Sequence, residues 1–480
     1  MLPRSRRSWN VMKELPIQIQ LYSESSKTLY EQIYEFIRDE IREGKLLYGE
    51  KLPSARFLAD YLQVSRTTVD MAYDQLVSEG YVEAKPRRGY FVSEIEELYA
   101  IGGISRGGMP ETYKREEQTS GRYDFSPNAI DMRYFPYATW KKITKNILVD
   151  ANSKMFSLGE PQGDRQLRTT ICRYLHGSRG VNCEPDQIII GAGNDYLLLL
   201  LEKILGRHVH VAMENPTYVR AYQIFRSCAY PVSFVPVDEN GMRVDFLRQT
   251  DARVAYVMPS HQYPTGVSMP IGRRMELLRW ASEEQDRYLI EDDYDSEFRY
   301  KGKPLPSLQA SDVDGRVVYI GTFSKAIAPA IRISYMVLPY PLLERYRSEC
   351  GFYSSTVSRI DQTILNEFIQ DGYFERYLNK MRKQYREKHD RILNELKPFE
   401  KVFRISGSNA GLHVILTDKK GRTEKNLARA AADADVKVYC MGDFRIEEAA
   451  DEPAMLILGY GALTPEEIKE GIAMLKKVWL

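Results

Sequence analysis

From about residue 123 onward, short apolar runs alternate with helix-like segments, and this alternation limits the folds open to the chain. The runs typical of strands are QIIIGAG, HVHVAMENP, VAYVMPS, RYLIEDD and RVVYIGTFSK, each ending in polar or glycine residues. Strands that alternate with helices form parallel βαβ units, and ligands bind at the carboxyl ends of such strands. We predict an α/β domain over 123–480, with a large part over about 123–370 and a small C-terminal part over about 371–480.

Lys325 follows the last of these strands, in GTFSKAIAPAIRI. Charged side chains are rarely placed among small and apolar residues unless a partner pairs with them or a reaction uses them. A lysine amine can form a Schiff base with an aldehyde cofactor. The alternative is a surface turn between a strand and a helix, and this segment alone does not decide between the two.

Acidic and aromatic residues follow other strands. Asp292, in YLIEDDYDSEF, ends a buried run, where a carboxylate needs a cationic partner such as a protonated ring nitrogen. Tyr294 could donate to a phenolate oxygen, and Tyr218, in MENPTYVRAY, could stack on a planar ring. Arg220 could clamp a ligand carboxylate. A surface acidic turn is the alternative for Asp292.

A glycine-rich turn and a hydroxyl-rich segment suit an anion. Backbone N–H groups at Gly193 and Asn194, before a predicted helix, would point at a phosphate, helped by the helix dipole. Thr322, Ser324 and Arg332 surround Lys325 in the sequence and would complete this anion site. A tight turn needs glycine in any case, so the turn carries weight only together with the other residues.

The N-terminal part is organised differently. Residues 28–43 place apolar side chains at helical spacing, and the segments LPSARFLADYLQ, VSRTTVDMAYDQLVSEG and YVEAKPRRGYFV predict two further helices and a hairpin. We predict a winged helix-turn-helix over 18–94. Residues 95–122, rich in glycine, serine and charge, predict a linker.

The placement of cations in this module favours double-stranded DNA as its partner. The start of a recognition helix meets base edges and phosphates, and a hairpin tip can follow a phosphate strand. The predicted DNA-binding residues are Arg56, Ser65, Arg66, Thr67, Thr68, Lys85, Arg87 and Arg88. Residues 51–93 nevertheless hold six basic and five acidic side chains, so the module is not basic overall, and a protein-interaction module is the alternative.

Composition excludes several classes of protein. The net charge is +1, and the five cysteines are scattered without a CxxC pair, which argues against a disulfide framework and a structural zinc. The basic N-terminus is not followed by the apolar stretch of a signal peptide, and no apolar run approaches membrane-spanning length. We expect a soluble, cytoplasmic protein without a membrane partner.

Two family resemblances cover almost the whole chain. Residues 52–92 are similar to the GntR family of winged-helix regulators, and residues 123–480 resemble a class I aminotransferase of the pyridoxal-phosphate fold type I. The combination resembles the MocR/GabR subfamily. The resemblance implies Lys325 as the aldimine lysine, Asp292 as partner of the ring nitrogen, Tyr294 as partner of the ring hydroxyl and Arg332 as a phosphate ligand. It also implies a homodimer whose effector, an amine or amino acid, forms an external aldimine and alters promoter binding.

Two positions depart from the family pattern. Tyr263, in SHQYPTG, stands where such aminotransferases usually carry asparagine, which favours sensing over turnover. Asp443 stands where an arginine for the ligand carboxylate is expected, and Arg445, two positions on, is a weak second candidate beside Arg220. An active aminotransferase with an appended DNA-binding or docking domain remains the alternative function, with slow half-transamination as an intermediate case.

Overall fold

The computed structural model describes residues 19, 21–22, 27–94, 121–149, 155–299, 305–407, 410–447 and 452–480. The chain divides into two compact units, Met1–Glu117 and Gln118–Leu480. The predicted linker, 95–122, lies outside the described residues except for its last two positions. The start of the predicted DNA-binding module, at residue 18, also lies outside them.

The first unit is three helices followed by a hairpin. Its elements are α1 Leu29–Arg42, α2 Ala55–Leu62, α3 Arg66–Ser78, β1 Val82–Lys85 and β2 Gly89–Val92. Of the apolar stripe predicted for α1, Ile33, Ile37 and Ile41 are buried, whereas Leu29 at the start of the helix is exposed, and α1 packs with α3. β1 and β2 pair antiparallel around the 86–88 turn. This arrangement is a winged helix-turn-helix, as predicted.

The second unit alternates helices and strands. Its helices are α4 Tyr137–Ile147, α5 Arg165–Arg179, α6 Asn194–Leu205, α7 Val219–Ser227, α8 Val244–Leu247, α9 Ile271–Ser282, α10 Phe323–Ala326, α11 Tyr340–Glu349, α12 Arg359–Gln370, α13 Tyr373–Leu396, α14 Glu424–Asp433 and α15 Pro465–Trp479. No helix in the described part of the chain has both the length and the apolar character needed to cross a membrane.

An eight-stranded sheet forms the centre of this unit. Its strands are β4 Ile188–Gly191, β5 Val211–Asn215, β6 Val232–Asp238, β7 Gly241–Met242, β8 Val254–Val257, β9 Tyr288–Asp293, β10 Val317–Thr322 and β11 Ser334–Val337. The strand order is β4-β11-β10-β9-β8-β5-β6-β7. Neighbours from β10 to β6 pair in parallel, and the direction of chain progression reverses between β8 and β5. A ligand site is expected at the carboxyl ends of strands near such a reversal.

Two strands depart from the predicted parallel pattern. The edge strand β7 runs antiparallel to β6. β11 runs antiparallel to both of its neighbours. The connection over 323–333 contains only α10 and one 3₁₀ turn. A parallel return would need a longer crossover on one face of the sheet, so the chain turns back beside β10 instead.

The C-terminal part has its own sheet. Its strands are β12 Phe403–Ser406, β13 His413–Asp418, β15 Tyr439–Cys440 and β16 Met455–Gly459, in the order β12-β13-β16-β15. A separate pair joins β3, Tyr123–Asp124, to β14, Val436–Lys437. The first strand of the second unit therefore pairs with a distant C-terminal segment and not with the central sheet.

Candidate functional site

A cavity of about 250 Å³ opens at the carboxyl ends of β8, β9 and β10. The structure brings all nine predicted cofactor residues into its wall: Gly193, Asn194, Tyr218, Asp292, Tyr294, Thr322, Ser324, Lys325 and Arg332. These residues are widely separated in the sequence, and the parallel strands bring them to one edge of the sheet.

Lys325 lies in the short helix α10 directly after β10. Its Nζ donates a hydrogen bond of 3.0 Å to the backbone oxygen of Pro127. Burial lowers the pKa of Lys325 to about 8, although the charge of Asp295 opposes that shift. Roughly a tenth of the amine is therefore uncharged at pH 7, and this neutral form is the nucleophile that attacks a carbonyl carbon.

Asp292 lies near the end of β9 and is 4% exposed. The hydroxyl of Tyr256 donates to its carboxylate, and Asn194 Nδ2 lies 3.3 Å from its Oδ1. Burial raises the pKa of Asp292 to about 7, against the opposing hydrogen bond from Tyr256. A cationic ring nitrogen beside this carboxylate would favour its ionised form.

Tyr256 was not predicted as a site residue. It belongs to the buried strand β8 and contacts Asp292 from the neighbouring strand. The sequence did offer one sign of this role, a tyrosine hydroxyl within an otherwise apolar strand. A buried hydroxyl needs a hydrogen-bond partner.

Tyr294 belongs to a buried polar network. Its hydroxyl lies 2.9 Å from His261 Nδ1, which is also 2.9 Å from Asp295 Oδ2. The ring of Tyr263, 3% exposed, packs edge-on against Tyr218 and Tyr294. An aromatic wall therefore stands where the family pattern has an asparagine.

The anion-binding end of the cavity lies at the N-terminus of α6. Arg332 has a left-handed backbone, and its guanidinium reaches Asp195 Oδ2 at 3.1 Å and the Ala192 carbonyl at 3.3 Å. Gly193 has a φ of 93°, which favours glycine, and a Cβ there would also crowd that guanidinium. Arg220 approaches the same carboxylate of Asp195 at 3.5 Å. Arg332 thus lies beside a helix N-terminus, an arrangement that suits a phosphate.

Two buried polar atoms in the cavity wall have no hydrogen-bond partner among the residues that the structure describes, and they show whether a phosphorylated aldehyde would suit the cavity. Asn194 Oδ1 and Ser324 Oγ are buried and make no hydrogen bond within the described ranges. Both residues line the cavity. Because a buried polar atom without a partner is costly, their placement fits a polar ligand. Together with the Gly193 cradle and Lys325, the residues fit pyridoxal phosphate.

Arg445 is not brought to the cavity. Its guanidinium is paired with Glu452, and burial lowers its pKa. Asp443 is exposed on a 3₁₀ turn. Of the two predicted effector arginines, the structure places only Arg220 in the cavity wall.

The first unit presents its predicted DNA-binding residues at three places: the start of α3, the hairpin and α2. Ser65 caps α3, accepting from the backbone N–H of Thr68, and Arg66 and Thr67 are exposed on the first turn. Thr68 is half-buried, and its hydroxyl lies 2.7 Å from that of Ser65. The cap therefore occupies both hydroxyls, while Arg66 and Thr67 extend outward.

The hairpin and α2 carry the other predicted cations. Arg87 and Arg88 are exposed in the 86–88 turn, where Arg87 adopts a positive φ of 61°. Lys85 is half-buried, with its ammonium 5.2 Å from the Phe91 ring centroid. Arg56 is exposed on α2. The turn thus has the form of a basic wing.

The comparisons with known proteins agree with both units. Residues 29–92 match the family described as bacterial regulatory proteins, gntR family, and residues 128–474 match aminotransferase class I and II. The uncharacterized HTH-type transcriptional regulator YdeL of Bacillus subtilis is 38% identical, covering 94% of this chain and 96% of its own. The probable rhizopine catabolism regulatory protein MocR of Rhizobium meliloti is 30% identical, covering 94% of each chain.

Among solved structures, LysN of Thermus thermophilus superposes with a TM-score of 0.65. It is an α-aminoadipate aminotransferase complexed with N-(5'-phosphopyridoxyl)-L-leucine. It is 25% identical, and the match covers 80% of this chain and 98% of that one. Fold and site together define a winged-helix regulator fused to an aminotransferase-like domain of the pyridoxal-phosphate fold type I. The chain belongs to the MocR/GabR subfamily of GntR transcription regulators.

Proposed function

We propose that this regulator holds pyridoxal phosphate at Lys325 and senses an amine or amino acid there to control promoter binding by its winged helix. The observation that carries this proposal is the convergence of nine cofactor-type residues on one cavity in a chain that also has a DNA-binding module. LysN, with a related fold, binds a phosphopyridoxyl ligand.

Each side chain has a defined task in this proposal. When bound, pyridoxal phosphate supplies an electrophilic carbon and an electron-withdrawing ring. Lys325 supplies the amine, and Asp292 holds the proton at the ring nitrogen. The N-terminus of α6 and the Arg332 guanidinium bind the phosphate, while Tyr218 packs against the ring.

Sensing is favoured over turnover by Tyr263, which replaces a polar side chain beside the cofactor with a buried ring. A second candidate function, slow half-transamination, is favoured by the intact pair of Lys325 and Asp292. Single-turnover assays with amino acids distinguish the two, because only transamination releases a keto acid.

We propose a homodimer as the functional form. Winged helices usually bind paired half-sites, and closed two-fold assemblies match such operators. Light scattering of the full chain, alone and with operator DNA, measures the number of subunits directly.

Fluorescence anisotropy with DNA from immediately upstream of this protein's own gene tests the regulatory function. Salt concentration is held constant, because phosphate contacts make the affinity depend on salt. We expect this DNA to bind at least tenfold more tightly than scrambled DNA. The affinity for it should change when pyridoxal phosphate and an amine are added. Equal, weak binding to both DNAs would contradict control of its own promoter. If ligands changed the absorbance but not DNA binding, the coupling itself would be refuted.

Arg66→Ala and Arg88→Ala should weaken operator binding. Each removes an exposed cation from the start of α3 or from the wing, and we expect about a tenfold loss. For a lost phosphate contact, the slope of log affinity against log salt concentration should decrease in magnitude by about one.

The matched control is Arg38→Ala on α1. Arg38 lies 5.2 Å from the Tyr34 ring centroid, and the Tyr34 hydroxyl bonds Glu79 at the opposite end of α3. Equal losses in all three variants would contradict this interface.

Arg220→Ala should weaken the response to amino acids and leave the cofactor bound. Arg220 lines the cavity, while Arg445 is paired with Glu452 outside it. In a panel of amino acids followed by cofactor absorbance, we expect the half-saturating concentration to rise about 10- to 100-fold in Arg220→Ala, as for loss of a charge-assisted bond. Arg445→Ala should change it less than twofold. An unchanged titration in Arg220→Ala would remove that residue from the effector site.

A further inference from the structure

Three potential metal ligands meet on the second unit, away from the cofactor cavity. Cys172 and His176 lie one turn apart on α5, and Cys183 follows the end of that helix. One donor atom from each residue lies within 4.8 Å of the other two. None of the three lines the cavity around Lys325.

The distances are close to those of a tetrahedral zinc site. The two sulfur atoms are 4.0 Å apart, and Cys172 Sγ is 3.7 Å from His176 Nε2. Bond lengths of about 2.3 Å to sulfur and 2.0 Å to nitrogen separate tetrahedral ligand atoms by roughly 3.5 to 3.8 Å. Small side-chain movements would bring all three atoms into range.

We propose that Cys172, His176 and Cys183 bind one zinc ion, with a water molecule as the fourth ligand. The exposed side of the site, at His176, leaves room for that water. Two thiolates and a neutral imidazole balance the charge of Zn²⁺, so the completed site is neutral. A neutral site avoids the large desolvation cost that an isolated ion would meet beside two buried cysteines.

The ion would tie the end of α5 to the segment that leads into β4. Without metal, that link includes the Cys172 thiol donating to the Cys183 carbonyl at 3.2 Å and His176 Nε2 at 2.8 Å from the same oxygen. The Cys183 N–H also lies 3.4 Å from His176 Nε2. α5 ends at Arg179, whose guanidinium bonds Asp293 at 2.7 Å. A metal here would therefore stiffen the strand end next to Asp292.

Binding would release two protons, one from each thiol: Zn²⁺ plus two SH groups gives the dithiolate complex and 2 H⁺. Burial raises the pKa of both thiols, so both are protonated before metal binds. The nearby charges, Arg173 and Glu184, act in opposite directions on Cys172.

The test is Co²⁺ and Zn²⁺ titration of the full-length, reduced, tag-free protein after chelator treatment. We expect one Co²⁺ per chain, with thiolate-to-cobalt charge transfer and the intense visible bands of tetrahedral Co²⁺, and displacement by Zn²⁺. Cys183→Ser should abolish the charge-transfer band or reduce it by half. His176→Ala, a change at an exposed position that leaves the core intact, should weaken binding at least tenfold. Cys228→Ser, outside the site, is the matched control.

Several outcomes would overturn the site. These are no stoichiometric binding, an octahedral spectrum, or equal binding by His176→Ala and the parent protein. Because none of these measurements uses the cofactor or DNA, failure of the metal site is distinguishable from failure of the regulatory proposal.

Discussion

Replacing Lys325 with alanine should abolish covalent retention of pyridoxal phosphate. Lys325 is the lysine in the cavity wall, and burial lowers its pKa to about 8, so its amine can attack an aldehyde near neutral pH. After incubation with pyridoxal phosphate and borohydride reduction, the parent chain should gain the mass of one reduced cofactor. Lys325→Ala should gain none.

Lys203→Ala is the matched control, because Lys203 is an exposed lysine paired with Glu202 and away from the cavity. It should take up the cofactor mass in full. Attachment that persisted in Lys325→Ala, with a peptide map locating it on another lysine, would remove the central element of the proposed function.

Asp292→Asn should have the second-largest effect. We expect it to weaken retention of the cofactor, and to stabilise the protein when no cofactor is bound. With cofactor, the variant loses a buried carboxylate opposite the ring nitrogen, and we expect about 10- to 100-fold weaker retention. The substitution itself is well accommodated. Tyr256 can still donate to the new amide oxygen, and Asn194 can rotate its unpartnered Oδ1 toward the new N–H group.

Without cofactor, Asp292→Asn should stabilise the protein above neutral pH. The folded-state pKa of Asp292 is raised to about 7, whereas an unfolded aspartate titrates near 4. Between those values the folded chain binds more protons than the unfolded chain, so the free energy of unfolding falls as pH rises. The variant has no carboxylate at this position, so its stability does not fall in this way. The difference in melting temperature, variant minus parent, should therefore be roughly 2–5 °C larger at pH 8 than at pH 5.

The contrast between loaded and unloaded protein separates this explanation from simple misfolding. A misfolded variant would melt earlier under every condition and would bind DNA poorly. A melting difference that did not depend on pH would contradict the assigned titration of Asp292. Tyr256→Phe supplies a further check, because it keeps the carboxylate and removes one hydrogen bond to it.

Local patterns in the sequence determined much of the architecture. Ser65 caps α3, and most of the apolar stripe of α1 is buried, since both depend on residues a few positions apart. The sequence also predicted that the polar residues after the strands lie together in one site. Once the strands pair in parallel, their carboxyl ends must share an edge, so Asp292 and Lys325 meet without any need to know their exact contacts.

Only the tertiary structure decided which distant residues are neighbours. It paired β3 with β14, reversed β11, removed Arg445 from the cavity and placed the hydroxyl of Tyr256 on Asp292. It also gathered Cys172, His176 and Cys183, whose spacing resembles no common zinc motif. Such contacts depend on strand order, connection geometry and side-chain direction across the whole fold. Periodicity and capping depend on residues a few positions apart, so they do not predict contacts between distant residues.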